Sequence, residues 1–557
     1  MEDERTTLSP NGNTSINHES PPTTTHRVLT GHEKFGYSVG HVQNDLCSAA
    51  WFTYLLVFMV SVLQMDNRSA GILLLIGQVA DALATPFVGI ESDRNLDWAL
   101  CRYGKRKTWH LLGTVCVLFT FPLIFNECIG CNNSHLYAKM IYYSSFIIVF
   151  QFGWASVQIS HLSLIPDLTP VSSERIELNA YRYAFTVASN ILVYVVTWIF
   201  LRMSTQSDGS QPSQINPSNL YEFRNVALII VAVGGVFSLI FHVLVKERHH
   251  RSFSINSIED GPENSAHSFS LNSKRMKWRH WFKVSQFYKI GILYMATRLV
   301  VNLTQVYTPF YLQYSLFLDS LSEKITFTVH TVQSIAYIPL VMYLSGFMFS
   351  FFIKFINQKA GRKMTYFIGC AIASASFAWL YFGTGEVYRK YEIYGVAILI
   401  GFSGSTMLIT SLGITNDLIG NNNSSGAFVF GAMSFLDKLS NGVAVMLIQL
   451  HHPCERHTCA SCNDYYRKIL AFVCGGATLL GILALLLLLP NKVGVFTSTA
   501  KRGLYTICFI WSAFLMSIDV FAEERNVEQS VVKESESEND DKSPLLRPSD
   551  RTQVYEI

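Results

Sequence analysis

The chain has 557 residues, of which 50% are hydrophobic and 13% aromatic, with only 15% charged and a net charge of +3. That shortage of charge departs from the soluble average and marks an integral membrane protein. A small balance gathered into a few turns excludes the spread basic face that nucleic acid requires. No nucleophile–base arrangement and no phosphate-cradling motif is present, so neither an enzyme nor a cofactor is expected. The first 32 residues are polar and rich in Thr, Ser, Pro and Asn; they read as a disordered cytosolic tail, and the first apolar run must itself direct insertion.

Runs long enough to span about 30 Å of hydrocarbon, roughly 20 residues each, fall near 36–63, 70–91, 108–126, 139–165, 179–201 and 225–245. A second set follows near 286–316, 334–356, 364–382, 391–418, 427–450 and 469–489. The expected organisation is an N-terminal tail over 1–34, a six-helix bundle over 35–245, a charged, Ser-rich cytosolic linker over 246–284, a second bundle over 285–490 and a C-terminal tail over 491–557. The turn Gly104-Lys105-Arg106 after the second helix recurs as Gly361-Arg362-Lys363 after the eighth. Any cytosolic loop collects Lys and Arg, but the shared topological position and glycine favour an internal repeat. The fold class is therefore an all-α polytopic membrane protein of the major facilitator kind, with 12 transmembrane helices in two pseudo-symmetric halves.

Basic loops mark the cytosolic side, which places both termini there. The opposite loops contain the sequons at Asn67 and Asn132 and five of the eleven cysteines, Cys128, Cys131, Cys454, Cys459 and Cys462. Their clustering suggests disulfides in an oxidising lumen, with a zinc site beside His457 as the rival. A further apolar run over 504–521 is long enough to span, and spanning would move the C-terminus to the lumen. The tail also carries an acidic-dileucine pattern, Asp541 followed by Leu545 and Leu546, of the type read by cytosolic sorting adaptors. An interfacial or dispensable run reconciles the two.

Polar residues inside the apolar helices fall on stripes: Tyr37, His41, Asn44 and Asp45; Gln78, Asp81 and Thr85; Gln151 and Gln158; Arg182, Thr186 and Asn190; Arg298, Asn302 and Gln305; Ser434, Lys438 and Asn441 beside Asp437. Helical spacing puts each set on one face. A lone Asn or Gln in such a helix is more often interhelical glue, and His41 and His161 read as packing or helix-end groups. Asp45, Asp81, Arg182, Arg298 and Lys438 differ, because ionisable groups at mid-membrane depth are costly unless they pair or bind something. Both signs are present, which suits a small zwitterion, or a sugar with a coupling cation. Asp93 and Arg94 read as a gating clamp with Gly104, Lys105 and Arg106.

The phrases YSVGHVQNDL, GQVADALATPFVG, RYGKRKTWHLLGTVCVLFTFP, QFGWASVQISHLSLIPDL and SGAFVFGAMSFLDKLSNG, in order along the chain, resemble the glycoside-pentoside-hexuronide cation symporters of the major facilitator superfamily. The match runs from about Phe35 to Pro490. The resemblance implies alternating access and, among its members, a lysosomal and melanosomal carrier that brings cysteine from cytosol to lumen, supplying cystine and shifting pigment synthesis. It further implies substrate binding by Asp45, Arg182 and Lys438 and a cation or proton site at Asp81; Arg298, read from its own polar stripe, is a further substrate-binding candidate. Two departures stand out: Thr85 replaces the second acid of the cation site, and Gln158 replaces an aspartate shared by sugar and cation. Losing two carboxylates weakens sodium coordination by hard oxygens and speaks against the alternative of a sugar–cation symporter. Arg182 or Lys438 suits a carboxylate and Asp45 or Asp81 an ammonium, with Trp154 or Phe435 as an apolar wall. A third alternative is a membrane scaffold or receptor without flux.

Overall fold

The computed structural model describes residues 29–93, 103–131, 135–169, 171–207, 215–247, 278–316, 329–420, 426–453 and 462–494. No strand occurs among the described residues. The first span is made of α1 (Gly31–Val39) and α2 (Val42–Val57), interrupted at Gly40 and His41 and finished by a π turn over Phe58–Val62. Then come α3 (Asn67–Asp93), α4 (Lys105–Ile124), α5 (Leu136–Ser163), the single turn α6 (Ile165–Leu168), α7 (Ser172–Ser207) and α8 (Leu220–Leu244). After the single turn α9 (Trp278–Trp281), α10 (Ser285–Phe310) also ends in a π turn, over Tyr311–Leu316. There follow α11 (Val329–Ala360), α12 (Arg362–Phe382) and the short α13 (Gly385–Val387), which leads through a π turn into α14 (Ile393–Ile419). Next are α15 (Gly426–Leu450) and α16 (Cys462–Lys468), which runs on into α17 (Gly475–Leu488).

Each of the twelve expected segments is met by a helix. Among the described residues, ten are long and apolar enough to cross a membrane by length and composition. The other two, α10 and α15, carry Lys289, Arg298 and Asn302, and Asp437, Lys438 and Asn441. Several helices overrun the expected bounds: α7 has 36 residues and α11 has 32, more than the roughly 20 that hydrocarbon requires, because a helix continues past the apolar zone wherever its backbone bonds remain satisfied. The start of α1 is fixed locally by a capping box, with Thr30 Oγ1 accepting from the Glu33 amide at 3.3 Å and Glu33 Oε2 accepting from the Thr30 amide at 2.9 Å.

Large apolar side chains point outward along the helices, among them Leu83, Phe119, Val243, Phe355, Phe382 and Leu479. Such a surface is unfavourable in water and suits hydrocarbon. Between the halves α3 packs on α15, α7 on α11 and α2 on α10. The two π turns that end the first and seventh spans meet, with Ser61 Oγ 3.0 Å from Tyr314 Oη, and the adjacent Gln313 amide donates to the Ile215 carbonyl at 3.2 Å. These bonds seal the face opposite the basic turns. On that sealed face Cys128 and Cys131 form a disulfide, and Asn67 opens α3 as a buried residue. Arg94, Asn132, Cys454, Cys459, most of the linker, the run over 504–521 and the signal at Asp541, Leu545 and Leu546 lie outside the described residues, as do the side chains of Asp93 and Cys462.

Candidate functional site

Three polar clusters occupy the middle of the bundle, and each is built from charges that the apolar helices make conspicuous. The first joins the halves. Lys438 Nζ on α15 donates to Asp81 Oδ1 on α3 at 2.6 Å and to Thr85 Oγ1 at 2.7 Å, while Thr85 itself donates to Asp81 Oδ1 at 3.1 Å. Asp81 is 2% exposed, so the ammonium is its counter-ion in a medium where an unpaired carboxylate would be costly. The same ammonium lies 5.6 Å from the Trp154 ring centroid, within the range of a cation–π contact.

The second cluster belongs to the first half. His41 Nδ1 lies 2.9 Å from Asp45 Oδ1, and Thr186 Oγ1 donates to Asp45 Oδ2 at 2.8 Å. Arg182 Nη2 donates to His41 Nε2 at 3.3 Å. A neutral imidazole thus sits between acid and guanidinium, turning Nδ1–H toward one and accepting at Nε2 from the other. The third cluster belongs to the second half: Arg298 Nε donates to Asp437 Oδ2 at 2.8 Å, and Asn441 Nδ2 donates to Asp437 Oδ1 at 2.7 Å. Asn302 Nδ2 approaches the same oxygen at 3.4 Å. Arg298 is therefore held by a carboxylate that is itself anchored, whereas the contact of Arg182 is with the far side of an imidazole.

A cavity of only about 10 Å³ lies beside the first cluster, lined by Ser48, Trp51, Gln78, Asp81, Gln151 and Trp154 among others. That is about the space one water molecule needs, so the charged centre is closed around its own side chains. Several buried polar atoms in its wall and in the neighbouring second cluster have no hydrogen-bond partner among the described residues: Trp154 Nε1, Asn44 Oδ1 and Arg182 Nε. Two uncommitted donors and one acceptor are unusual in a buried site and mark places a ligand's polar groups would fill. Gln158 is half-buried on α5 and enters none of the three clusters. Phe435 is 46% exposed and does not line the cavity, whereas Trp154 does.

The basic turn is an ion-binding helix start. Glu247, just past α8, accepts from the backbone amides of Arg106 at 3.0 Å and Lys107 at 3.0 Å, the geometry by which an anion meets a helix N-terminus. Arg106 Nε pairs with Asp167 Oδ2 at 3.1 Å, and in the second half Arg362 pairs with Asp417. Lys107 Nζ donates to the carbonyls of His242 and Val245 at the end of α8, and Lys363 Nζ to those of Leu488 and Asn491 at the end of α17. The repeat thus extends beyond the glycine and the charge to the partners of the charges. Gly104 has φ +130°, and a Cβ there would lie 2.5 Å from Glu247 Oε2. Gly104→Ala is accordingly expected to lower stability by about 1–3 kcal/mol, read as a fall in the unfolding midpoint of the purified chain, with Gly89→Ala, which has open space for the new methyl, as the silent control.

Sequence reasoning reaches Asp45, Asp81, Arg182, Arg298 and Lys438 but not their partners. Asp437 stands out in the sequence only as a neighbour of Lys438, yet it holds Arg298. Thr186 belongs to a polar stripe that gives no sign of its bond to Asp45. Glu247 lies just past α8, Asp167 in the single turn α6 and Asp417 in the last turn of α14; the repeated Asp-Leu of Asp167-Leu168 and Asp417-Leu418 is the signal available for two of them.

The chain matches the model of a family described as MFS/sugar transport protein over residues 36–451. It is 46% identical to major facilitator superfamily domain-containing protein 12 of Homo sapiens over 84% of this chain and 95% of that protein, with the same values for the protein of that name from Mus musculus. Among solved structures, a single-site mutant of the nucleoside transporter NupG superposes with a TM-score of 0.57 at 13% identity, covering 82% of this chain and 99% of the other. An inward open conformation of the xylose transporter XylE from E. coli does so with a TM-score of 0.54 at 12% identity, covering 85% and 98%; both likenesses concern the fold.

Proposed function

This chain belongs to the MFS/sugar transport protein family and is a membrane transporter, not an enzyme; from that premise we propose that it carries cysteine from the cytosol into the lumen of lysosomes and melanosomes by alternating access. The observation that carries the reading is the set of charges of both signs at the centre, Asp81 with Lys438 and Asp45 with His41 and Arg182, among which Trp154 Nε1 and Arg182 Nε are donors with no partner among the described residues. A zwitterion needs a fixed cation for its carboxylate and a fixed anion for its ammonium at a spacing of a few atoms. Arg182 supplies the first, and Asp45 or Asp81 the second. The cysteine identity is what the family resemblance implies. The sugar–cation alternative is disfavoured because Lys438 Nζ stands between Asp81 and Thr85, where a coupling cation would have to be held. In this reading Lys438 acts as an internal cation that must leave Asp81 when the two halves part.

The face bearing the basic turns is read as cytosolic from its charge, which makes the face sealed by Ser61 and Tyr314 luminal. The sorting pattern at Asp541, Leu545 and Leu546 would then direct the chain to lysosomes through cytosolic adaptors, and a glycan would occupy luminal Asn132, whereas Asn67 is buried and unsuited to one.

The test is uptake of labelled cysteine into intact lysosomes from cells lacking the endogenous carrier, rescued by the parent chain or by Arg182→Ala and Lys438→Ala at equal abundance. Rescue by the parent and loss in both variants is the expected result. Correct delivery without rescue would remove cysteine as the substrate.

A further inference from the structure

Four histidines gather in the first half, three of them buried and His242 half-buried, and the proposed substrate site uses only one of them. His110 on α4, His161 on α5, His41 at the break of the first span and His242 on α8 are all near one another: ring centroids are 4.9 Å apart for His110 and His242, 6.1 Å for His110 and His161, and 5.5 Å for His161 and His41. Their hydrogen bonds have a direction. His110 Nε2 lies 3.0 Å from the Gly40 carbonyl, which can only accept, so Nε2 bears the proton. A neutral His110 then accepts at Nδ1, and His242 Nε2, 3.1 Å away, must donate. That leaves His242 Nδ1 to accept from the Tyr103 hydroxyl at 2.9 Å. One continuous chain therefore runs from Tyr103, which is 43% exposed on the basic face, to the interruption between α1 and α2.

His161 lies beyond the end of that chain, near His110 and His41 but hydrogen-bonded to neither. Its Nε2 donates to the Tyr37 carbonyl at 2.7 Å, so Nδ1 carries the lone pair; that atom is fully buried and has no partner among the described residues. His41 stands next, with its Nδ1 2.9 Å from Asp45. The break that exposes these carbonyls is held tightly, since a Cβ on Gly40 would lie 2.5 Å from the Phe241 ring and 2.9 Å from His161. The charged groups around the rings are few. Lys107 lies 4.1 Å from the Tyr103 ring centroid and is tied to the His242 and Val245 carbonyls, with Glu247 on its amide. Arg182 touches His41, the Tyr37 hydroxyl donates to the His161 carbonyl, and the Thr114 hydroxyl lies 3.5 Å from His110 Nδ1 and is bonded in turn to Ser238. Cations thus stand at both ends of the row, and Asp45 is the carboxylate in contact with it.

We propose that this row is a proton path between the basic face and Asp45, entered at Tyr103 and His242, through which one proton is exchanged in each transport cycle. The inference rests on the transporter reading above. A proton taken up at His242 Nδ1 releases the Nε2 proton to His110 Nδ1; His110 must then turn its Nε2–H from the Gly40 carbonyl to His161 Nδ1, His161 must turn to hand a proton to His41 Nε2 once Arg182 has left it, and His41 releases its Nδ1 proton to the Asp45 carboxylate, the acid that ends the row. Neutralising Asp45 removes the negative charge nearest Arg182 and leaves the guanidinium to a ligand carboxylate. Proton and substrate occupancy are coupled in this way without a metal ion.

The full chain in proteoliposomes containing a pH-sensitive dye tests it, with labelled cysteine as the probe. Cysteine addition to the parent is expected to move protons, whereas His242→Gln and Tyr103→Phe lose at least ten-fold of that flux and keep cysteine counterflow, which requires no net proton movement, within two-fold. Proton flux unchanged in both variants, or parental cysteine transport without proton movement, overturns the path. Absence of counterflow in the parent would instead sink the cysteine reading. The path is then judged without substrate, from the rate at which the carboxyl infrared band assigned through Asp45→Asn responds to a pH jump: at least ten-fold slowing in His242→Gln supports it, and an unchanged rate refutes it.

Discussion

Lys438→Ala is expected to destabilise the purified chain by about 3–5 kcal/mol, because removing one member of a buried ion pair leaves the other charged and unpaired. Asp81 would keep only the Thr85 hydroxyl at 3.1 Å, at a position 2% exposed. The pair also spans the two halves, so the loss acts on how they meet as well as on α3 and α15 themselves. The double variant Asp81→Asn/Lys438→Met removes both charges and is expected to recover most of the lost stability, since replacing a buried pair by neutral groups of similar volume is often nearly neutral. Transport should remain absent in the double variant, because the separable charge that answers the two states is gone. Thermal unfolding in detergent and uptake at matched abundance check the two halves of this expectation. A Lys438→Ala chain as stable as the parent would show that the ammonium contributes nothing to the folded pair, and parental uptake by the double variant would reduce the pair to a structural contact.

The helices are legible in the sequence because spanning hydrocarbon leaves a one-dimensional mark, a run of apolar residues of fixed length. Helix ends are less legible: α7 begins at Ser172 where the apolar run begins near 179, since the backbone continues a helix regardless of the side chains that mark the membrane. The charges of the site stand out for the same reason, as departures from an apolar background. Their pairing does not, because Asp81 and Lys438 lie 357 residues apart, and nothing in a single sequence says which carboxylate faces which cation. Arg298 shows the consequence. Read alone it equals Arg182, yet it is committed to Asp437 on α15. The histidine row is hidden more completely, since each of its members is an ordinary neutral residue until the break at Gly40 and His41 gathers them.

That difference in commitment separates the two arginines experimentally. Arg182→Ala removes a guanidinium whose Nε has no partner among the described residues and whose one named contact is with His41, while Asp45 keeps His41 and Thr186. Stability should therefore change little. Transport should suffer heavily: a hydrogen bond to a charged group contributes about 1.5–3 kcal/mol, so losing the carboxylate contact lowers kcat/KM by roughly 10- to 150-fold at about 1.4 kcal/mol per factor of ten. Arg182→Lys keeps the charge and loses the planar fork, which raises KM before it lowers kcat. Arg298→Ala should behave in the opposite way, with a large loss of stability from the stranded Asp437, whose other partners are the amides of Asn302 and Asn441. Uptake kinetics and unfolding midpoints on the three variants decide the matter. If Arg182→Ala unfolds as early as Arg298→Ala, Arg182 is a structural counter-charge and the substrate carboxylate must be sought at Lys438.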